Sequence, residues 1–347
     1  MKAPLNPLSL RSTLLVVLVS IFGLELGVRQ LYSPPTPMLD KAIAFEAQAH
    51  SKDQLLIFGT CLPEQIISPE LLQQQLGGDL QVQNLATAAG TSRLMYLTLK
   101  NYISESTPVR GIIVPYGTTD LTKRMDPYES QAMEIARLED LSDLIAIECV
   151  DADCRTQMWM RKLSKAYRYR GYLANWFWQS IGSKPPVPGY AASPGAVEER
   201  PGDKPPPMSS QRRPDRPVDR LGDGAIEPDR SGPGRYLGPE RMTVVKSDFR
   251  YLIAFLDLAK EREIPIFLVP LPLRSSYLPE GDGGHNDAYR ERLAKVIQEH
   301  GGIQLEADEI PGLTAEDFTD DVHLEKRGRG LVTRALGLAV NEELKRQ

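Results

Sequence analysis

Short apolar runs alternate with segments of helical spacing along most of this chain of 347 residues. The clearest runs are residues 54–58 (QLLIF), 111–116 (GIIVPY) and 264–271 (IPIFLVPL). Nearly continuous apolar runs of this length are typical of strands that are buried on both faces of a parallel sheet. Their alternation with helices predicts a three-layer α/β/α fold, in which helices cover both faces of a mostly parallel sheet.

The other segments complete this alternation. Further strands are predicted at residues 80–85 and, as a short edge strand, at 303–305. Ser68 before Pro69 indicates a helix start, because serine caps the first turn and proline suits the first helical position. The remaining helices are predicted at residues 38–50, 92–104, 127–181 (mainly helical), 245–256 and 287–300.

The carboxyl-terminal helix is predicted from an apolar stripe at four-three spacing. The stripe consists of Leu324, Gly328, Leu331, Ala335 and Leu338. We expect this stripe to face the core.

The amino-terminal segment is the most apolar part of the chain. Residues 12–28 (STLLVVLVSIFGLELGV) contain one charged residue, Glu25, and are just long enough to span a bilayer core as a helix. Lys2 and Arg11 precede the run and favour a cytoplasmic amino terminus. Because no clear small-x-small cleavage site follows, we predict an uncleaved membrane anchor. A cleaved signal peptide and a buried helix of a soluble protein are the alternatives.

This anchor divides the chain into two parts. Residues 1–35 are predicted to form a cytoplasmic tip and the transmembrane helix, and residues 36–347 an extracytoplasmic domain, in the periplasm or at the cell surface. Composition changes sharply at residues 183–240, where nearly half of the 28 prolines fall. Such a segment buries too little apolar surface to offset its ordering entropy. We therefore predict a disordered insertion within the domain.

Charge and histidine placement exclude two kinds of ligand from the expected function. The formal net charge is −5, and the basic residues are scattered without base-stacking aromatic residues beside them, so nucleic acid is not an expected partner. His50, His285 and His300 lack partners at ligand spacing. We therefore expect no metal and no cofactor.

The three cysteines fall into a close pair and a single residue. Cys149 and Cys154 lie five positions apart, near enough for a local disulfide in an oxidising compartment. Cys61 is then left over, and a leftover thiol in an exported protein is a candidate reactive group. Three unpaired and inert cysteines are the alternative.

Four short segments carry the residues that could perform chemistry. GTCL (59–62), NLATAAG (84–90) and GTTD (117–120) follow the first three predicted strands, and DDVHL (320–324) leads into the last helix. Sites in open parallel sheets form outside the carboxyl ends of the strands. The four segments are therefore predicted to meet at one edge of the sheet.

The order and spacing of these segments resemble the SGNH (GDSL-like) hydrolase superfamily. Its blocks are G-D-S-L, a glycine after the second strand, G-x-N-D and D-x-x-H. Here Thr60 stands for the aspartate of the first block, Cys61 for the nucleophilic serine and Thr119 for the asparagine of the third block. DDVHL matches D-x-x-H in full, and Phe318 with Gly328 extends the match to F-x-D-x-x-H-L-x-x-x-G.

The resemblance covers about residues 50–125 and 240–345. It implies the flavodoxin-like fold of that superfamily. Together with the amino-terminal anchor, it makes the chain similar to membrane-tethered members that handle acyl groups on cell-surface polymers.

The catalytic roles that follow can also be argued from chemistry. Cys61 lies where a helix amino terminus lowers the pKa of a thiol, so it can attack an acyl carbonyl as a thiolate. His323 is then the base and proton donor, and Asp320 accepts a ring N–H and fixes the tautomer. The cysteine can instead be a small core residue, the histidine a solvated one, Asp321 the partner and Thr60 the nucleophile.

Oxyanion stabilisation is expected from main-chain N–H groups of Cys61 and of Gly90, with Ala89 as the alternative because the spacing is one residue off the usual. Thr119 offers one hydroxyl where an asparagine amide would be expected. Loss of one such donor typically lowers the rate by about 10²–10³-fold.

Two functions fit these residues. The first is an esterase or O-acyltransferase that moves a small acyl group to or from a cell-surface or extracellular glycan, with an acylated glycan or small acyl ester as its substrate. The second is a catalytically degenerate relative that binds or assembles with a membrane acyltransferase. The substitutions at residues 61 and 119 favour the second function.

The proline-rich segment yields a direct test. Deletion of residues 186–236 should leave the core folded, because the free energy of loop closure changes by only about 0.6 kcal/mol for each twofold change in loop length. Thermal unfolding followed by circular dichroism should stay cooperative. If the full-length chain melts cooperatively and the deletion protein does not, the result contradicts the predicted insertion.

Overall fold

A five-stranded sheet forms the centre of the computed structural model. The structure describes residues 7–31, 36–48, 52–77, 80–87, 90–117, 121, 126–149, 151–170, 173–174, 249–272, 285–305, 310–319 and 323–346. The strands are β1 (Asp53–Ile57), β2 (Leu80–Asn84), β3 (Val109–Tyr116), β4 (Ile266–Pro270) and β5 (Ile303–Gln304). All four pairings are parallel, in the order β2-β1-β3-β4-β5. The predicted α/β class is therefore confirmed.

Helices connect and cover the strands. In chain order they are α1 (Pro7–Leu31), α2 (Pro37–Glu46), α3 (Cys61–Ile66), α4 (Pro69–Gln75), α5 (Ser92–Tyr102), α6 (Asp126–Ile135), α7 (Leu141–Glu148), α8 (Ala152–Leu163), α9 (Lys165–Arg168), α10 (Phe249–Glu261), α11 (His285–Glu299) and α12 (Lys326–Arg346). The Ser68 hydroxyl accepts a hydrogen bond from the Leu71 N–H, so the predicted cap of α4 is confirmed.

The sheet has a separate apolar core on each face. On one face, Leu56 of β1 and Ile112 of β3 pack with side chains of α2, α5, α7 and α10. On the other face, Leu55 and Ile113 pack with side chains of α3, α4 and α12. The central strands β1 and β3 are therefore apolar on both faces, as expected for a parallel sheet between two helical layers.

The closing helix turns most of the predicted stripe to the core: Leu324 and Gly328 are buried, and Leu331 and Ala335 are partly buried against it. Leu338 is 60% exposed, and the buried residues of α12 are Gly328, Val332, Thr333, Leu336, Gly337 and Val340. A Cβ on Gly337 would lie 2.8 Å from Cβ of Gln75 on α4. This close approach turns Gly337 inward and leaves its neighbour Leu338 outside, so the prediction was wrong for Leu338.

Helix α1 is apolar and exposed on all sides over much of its length. From Leu15 to Leu24 every residue is exposed, with Phe22 at 68%, contact with the domain begins at Glu25, and Val28 is buried. A helix that is apolar all round is typical of a core or a membrane. Among the residues described, no helix meets the criteria of length and apolarity for crossing a membrane.

Cys149 and Cys154 form a disulfide that joins the end of α7 to the start of α8. The predicted pairing is confirmed, and the alternative of three unpaired cysteines was wrong. With three cysteines in the chain, Cys61 has no further cysteine of its own chain to pair with. The predicted insertion at 183–240 lies outside the described residues.

A buried carboxylate ties α5 to α7. Asp140 lies 2.9 Å from Nζ of Lys100, and it accepts hydrogen bonds of 2.6 Å from the Asn101 amide and the Arg137 N–H. Burial alone would raise the pKa of Asp140, but the hydrogen bonds from Lys100, Arg137 and Asn101 outweigh it and hold the pKa below its ordinary value of 3.8. The carboxylate is therefore charged in the folded protein at neutral pH.

The sign of this shift predicts an acid dependence. The contribution of Asp140 is complete above its unfolded pKa and is lost as pH falls through the lower, folded-state pKa. Asp140→Asn should cost about 2 kcal/mol of unfolding free energy at pH 7, as for a hydrogen bond to a charged group, and should flatten the loss of stability below pH of about 4. Urea unfolding across pH measures both effects.

Asp143→Asn is the matched control. Asp143 also pairs with Lys100, at 2.7 Å, but its side chain is 50% exposed. Exposed pairs contribute only about 0–1 kcal/mol, so this variant should change stability little. Equal effects of the two substitutions would contradict the role given to Asp140.

Candidate functional site

The switch point of the sheet, where successive chain connections leave toward opposite edges, lies at the carboxyl ends of β1 and β3. β1 pairs with β2 on one side and β3 on the other, while the chain reaches β3 only after β2. In doubly wound sheets, ligands bind in the crevice beside such a switch point. The Phe58 N–H donates to the Ile113 carbonyl at 2.9 Å, which keeps the two chains adjacent just past β1.

The turn after β1 depends on Gly59. Its φ of +146° is one that residues with a side chain rarely adopt, and a Cβ there would lie 2.6 Å from Cγ of Pro63. Thr60 follows in an extended conformation and caps α3, its hydroxyl accepting from the Leu62 N–H at 3.4 Å. Cys61 is therefore the first residue of α3. Its side chain lies outside the described part of the structure.

Gly90 of the second segment contacts this turn directly. A Cβ on Gly90 would lie 1.8 Å from the Gly59 carbonyl oxygen, so no other residue fits without movement of the main chain. The Thr87 N–H donates to the same Gly59 carbonyl at 3.2 Å, and the Gly90 N–H donates to the Thr87 carbonyl at 3.0 Å. The Gly90 N–H, which was predicted to bind an oxyanion, is thus hydrogen-bonded within its own loop. Ala89 lies outside the described residues.

The start of α5 contacts Leu121, the residue that follows the third segment. The Thr91 hydroxyl caps the helix by accepting from the Leu94 N–H at 3.3 Å. The buried Ser92 hydroxyl donates to the Leu121 carbonyl at 3.0 Å. The residues that follow the second and third segments are therefore joined by this bond. Thr119 itself lies outside the described residues.

His323 lies at the end of a narrow loop. The N–H and hydroxyl of Thr319 both donate to the His323 carbonyl, at 2.9 and 3.1 Å. Next to these hydrogen bonds, Phe318 and Leu324 form an antiparallel β-bridge. Both side chains pack in the core that α3, α4 and α12 share. This pairing explains the Phe and Leu of the tail motif. Asp320 and Asp321 lie outside the described residues.

Asp317 anchors that loop, and the sequence analysis missed it. Its carboxylate accepts from the Thr314 N–H at 2.8 Å and from Nη1 of Arg327 at 2.8 and 2.9 Å. The Thr314 hydrogen bond and the Arg327 guanidinium hold the pKa of Asp317 below its ordinary value of 3.8. The T-x-x-D pattern of a capping box was the available signal.

Gly328 completes the support of the His323 loop. A Cβ there would lie 2.9 Å from both the Cβ and the carbonyl oxygen of Asp317. The glycine of the tail motif therefore lets the first turn of α12 approach the loop closely. Its role is in packing, next to the histidine that the motif contains.

Helix α12 also joins this loop to the helix that begins at Cys61. Side chains of α3 and α12 share one core. The buried hydroxyl of Thr333 accepts from the N–H of Ser68, which follows α3, at 3.2 Å. Of the predicted site residues, the structure thus describes Gly90 and His323, which lie in loops, and the main chain of Cys61, which begins α3.

Lys41 is a further charged residue near the second segment. Its Nζ donates to the Ala86 carbonyl at 2.5 Å. Met38, one turn earlier on α2, reaches to 3.0 Å from where a Cβ of Gly90 would lie. Helix α2 therefore covers the second segment, and nothing in the sequence pattern indicated this contact.

Among the residues that the structure describes, no cluster of three or more His, Cys, Asp or Glu side chains is arranged to hold a metal ion. No family model matches the chain, and a search of curated proteins finds no match.

The contact between Gly90 and Gly59 can be tested by substitution. Gly90→Ala places a methyl group against main-chain atoms, so the turn before Cys61 must move, at a cost of about 1–3 kcal/mol. Urea unfolding should show this loss. Gly330→Ala is the control, because its Cβ would meet only Nη2 of Arg334 at 3.7 Å on α12, and alanine favours a helix by about 1 kcal/mol over glycine. Equal effects of the two changes would contradict the packing described.

Proposed function

We propose that this protein is a membrane-anchored, extracytoplasmic SGNH-like esterase or O-acyltransferase that acts on acyl groups of a cell-surface or extracellular glycan. Cys61, His323 and Asp320 take the places of the Ser-His-Asp residues of that superfamily. The observation that carries the proposal is the meeting of Gly59 and Gly90 at the switch point, directly before Cys61. Two of the resembling segments thereby meet at the carboxyl end of β1.

The strand order also supports the proposal. β2-β1-β3-β4-β5 is the doubly wound order of flavodoxin-like folds, which the resemblance implies. The tail motif supports it independently. Phe318, Leu324 and Gly328 build the loop that ends at His323, so the motif corresponds to one supported structural unit.

The proposed reaction has two steps. The Cys61 thiolate attacks the acyl carbonyl carbon, the bond to the alcohol oxygen breaks, and the leaving alcohol takes a proton from the His323 imidazolium. The resulting thioester is attacked by water or by a glycan hydroxyl, whose proton passes to His323, and the thiolate is released. Asp320 orients the imidazole, while the Cys61 N–H and Thr119 stabilise the developing oxyanion.

Two features support the extracytoplasmic, membrane-bound location. α1 exposes Val16, Val19 and Phe22 at 63–68% of their surface, which is unfavourable in water. The disulfide between Cys149 and Cys154 is typical of oxidising compartments. We propose residues 1–35 as the anchor and the remaining chain as the exported domain.

One observation favours the second function, a catalytically degenerate protein that binds a membrane acyltransferase. The Gly90 N–H is engaged with the Thr87 carbonyl, so an oxyanion would have to displace that bond. Thr119 replaces the amide that active relatives use, which removes one of the usual donors. The crevice would then recognise an acyl group without cleaving it.

The reactivity of Cys61 separates the two functions. A thiolate paired with His323 should react with iodoacetamide well below pH of about 8.5, the pKa of a free cysteine. His323→Ala should shift the midpoint upward by about 1–3 pH units, because it removes the neighbouring positive charge. His300→Ala is the control, since His300 pairs with Asp257 at 2.7 Å on another helix, and should leave the midpoint unchanged.

Cys61→Ser tests catalysis itself, because it restores the usual nucleophile of the superfamily. An active site should hydrolyse a small aryl acetate with Cys61 or with serine, and Asp320→Asn should lower that rate without unfolding the protein. An unshifted Cys61 reactivity curve, with no hydrolysis by Cys61→Ser, would leave the binding function.

A further inference from the structure

Helix α8 exposes an apolar face beside the root of α1. Trp159, Met160 and Leu163 are 46%, 44% and 53% exposed. Their spacing of one, three and four residues places them on the same side of the helix. The buried Met158 faces the opposite direction, into the domain core. Three large apolar side chains thus form one outward face, which we call the α8 face.

The root of α1 is docked next to that face. Arg29, in the last turn of α1, donates from Nη2 to the carbonyl of Leu163 at 2.8 Å. Leu163 is the last residue of α8 and a member of the α8 face. The point where α1 leaves the domain and the α8 face are therefore directly adjacent.

Glu25 makes this docking rigid. Its carboxylate accepts from the N–H groups of Lys165 and Ala166, at 2.8 and 3.0 Å, and from the Ser164 hydroxyl at 2.8 Å. It also pairs with Arg29 at 2.7 Å. The one acidic residue of the apolar run thus caps the first turn of α9. Such a network fixes the direction of α1 relative to α8.

We propose that the α8 face lies in the headgroup region of the same phospholipid bilayer that α1 enters, so that the domain has one fixed orientation on the membrane. This inference rests on the membrane anchoring proposed above. The occupant is a bilayer because the α8 face begins at the Arg29–Leu163 contact, at the root of the helix whose exposed apolar residues run from Leu15 to Leu26. Trp159 suits that depth, since an indole ring prefers the membrane interface.

The orientation has a consequence for the candidate site. A domain that is held by α1 alone could rotate about a hinge and sample substrate at many heights. With both α1 and the α8 face in contact with lipid, the carboxyl edge of the sheet stays at one height above the bilayer. Acyl groups carried on a polymer or lipid at that height become the accessible substrates.

Fluorescence of Trp159 tests the inference in the full chain. The protein has three tryptophans, so Trp176→Phe and Trp178→Phe leave Trp159 alone. The variant is placed in nanodiscs of phosphatidylcholine with or without bromine on the upper acyl carbons. Trp159 emission should fall about twofold or more with brominated lipid, because an interfacial indole lies within contact of those carbons.

Two variants sharpen the result. Trp159→Phe with Gln157→Trp moves the probe to an exposed position about 200° around the helix and should show little quenching. Glu25→Gln should keep the protein on the membrane but reduce quenching of Trp159, because the docking of α1 weakens. Flotation with vesicles of the same lipid reports anchoring separately.

The outcomes are distinct. Flotation without quenching of Trp159 overturns the orientation while the anchor stands. No flotation overturns the anchor and the orientation together. Equal quenching at residues 157 and 159 overturns a fixed α8 face. A doubled mass in detergent, together with no bromine quenching, would show that a second copy of the chain covers Trp159. This result also overturns the proposal.

Discussion

The main-chain ladder of β1 determines how the rest of this protein is arranged. β1 hydrogen-bonds to β2 on one edge and to β3 on the other, and because its side chains on both faces are apolar, helices cover both faces. The carboxyl end of β1 is also the point where chain connections leave toward opposite edges of the sheet. The turn at Gly59 must there fit between Pro63, Pro115 and Gly90. The candidate site is thus a consequence of how the central strand ends.

Buried or half-buried carboxylates secure the junctions around this sheet. Glu25 accepts main-chain N–H groups at the start of α9, Asp140 at the turn before α7, and Asp317 at the loop before α12. Each also pairs with a cation: Arg29, Lys100 and Arg327 respectively. A carboxylate satisfied by both kinds of donor is retained at low solvent exposure because its charge is matched.

These junctions connect the site with the membrane proposal. The Asp317 loop supports His323, while the Glu25 contacts hold α1 against α8 and α9. The disulfide of Cys149 and Cys154 joins α7 to the start of α8, whereas the α1 contact is with Leu163 at the end of α8. An acyl-handling enzyme and a binding protein would use the same supports, and they differ in whether Cys61 is activated by His323.

The local pattern of the sequence determined much of the fold. Strand β1 was predicted within one residue of its bounds, and the Ser68 cap and the Cys149–Cys154 pair were predicted correctly. The segments of the candidate site could also be assigned to strand ends, because a parallel sheet brings its carboxyl ends together. These features depend on residues close in the chain, where spacing and residue type are sufficient.

Contacts between distant residues were decided only by the tertiary structure. The inward face of α12 depends on the approach of Gly337 to Gln75, and the role of Glu25 depends on a helix start about 140 positions away. Asp317 similarly became recognisable through Arg327 and Gly328. No local period encodes such pairs, since packing of two surfaces selects them. The sequence thus determined which elements form, and the tertiary structure decided which of their faces meet.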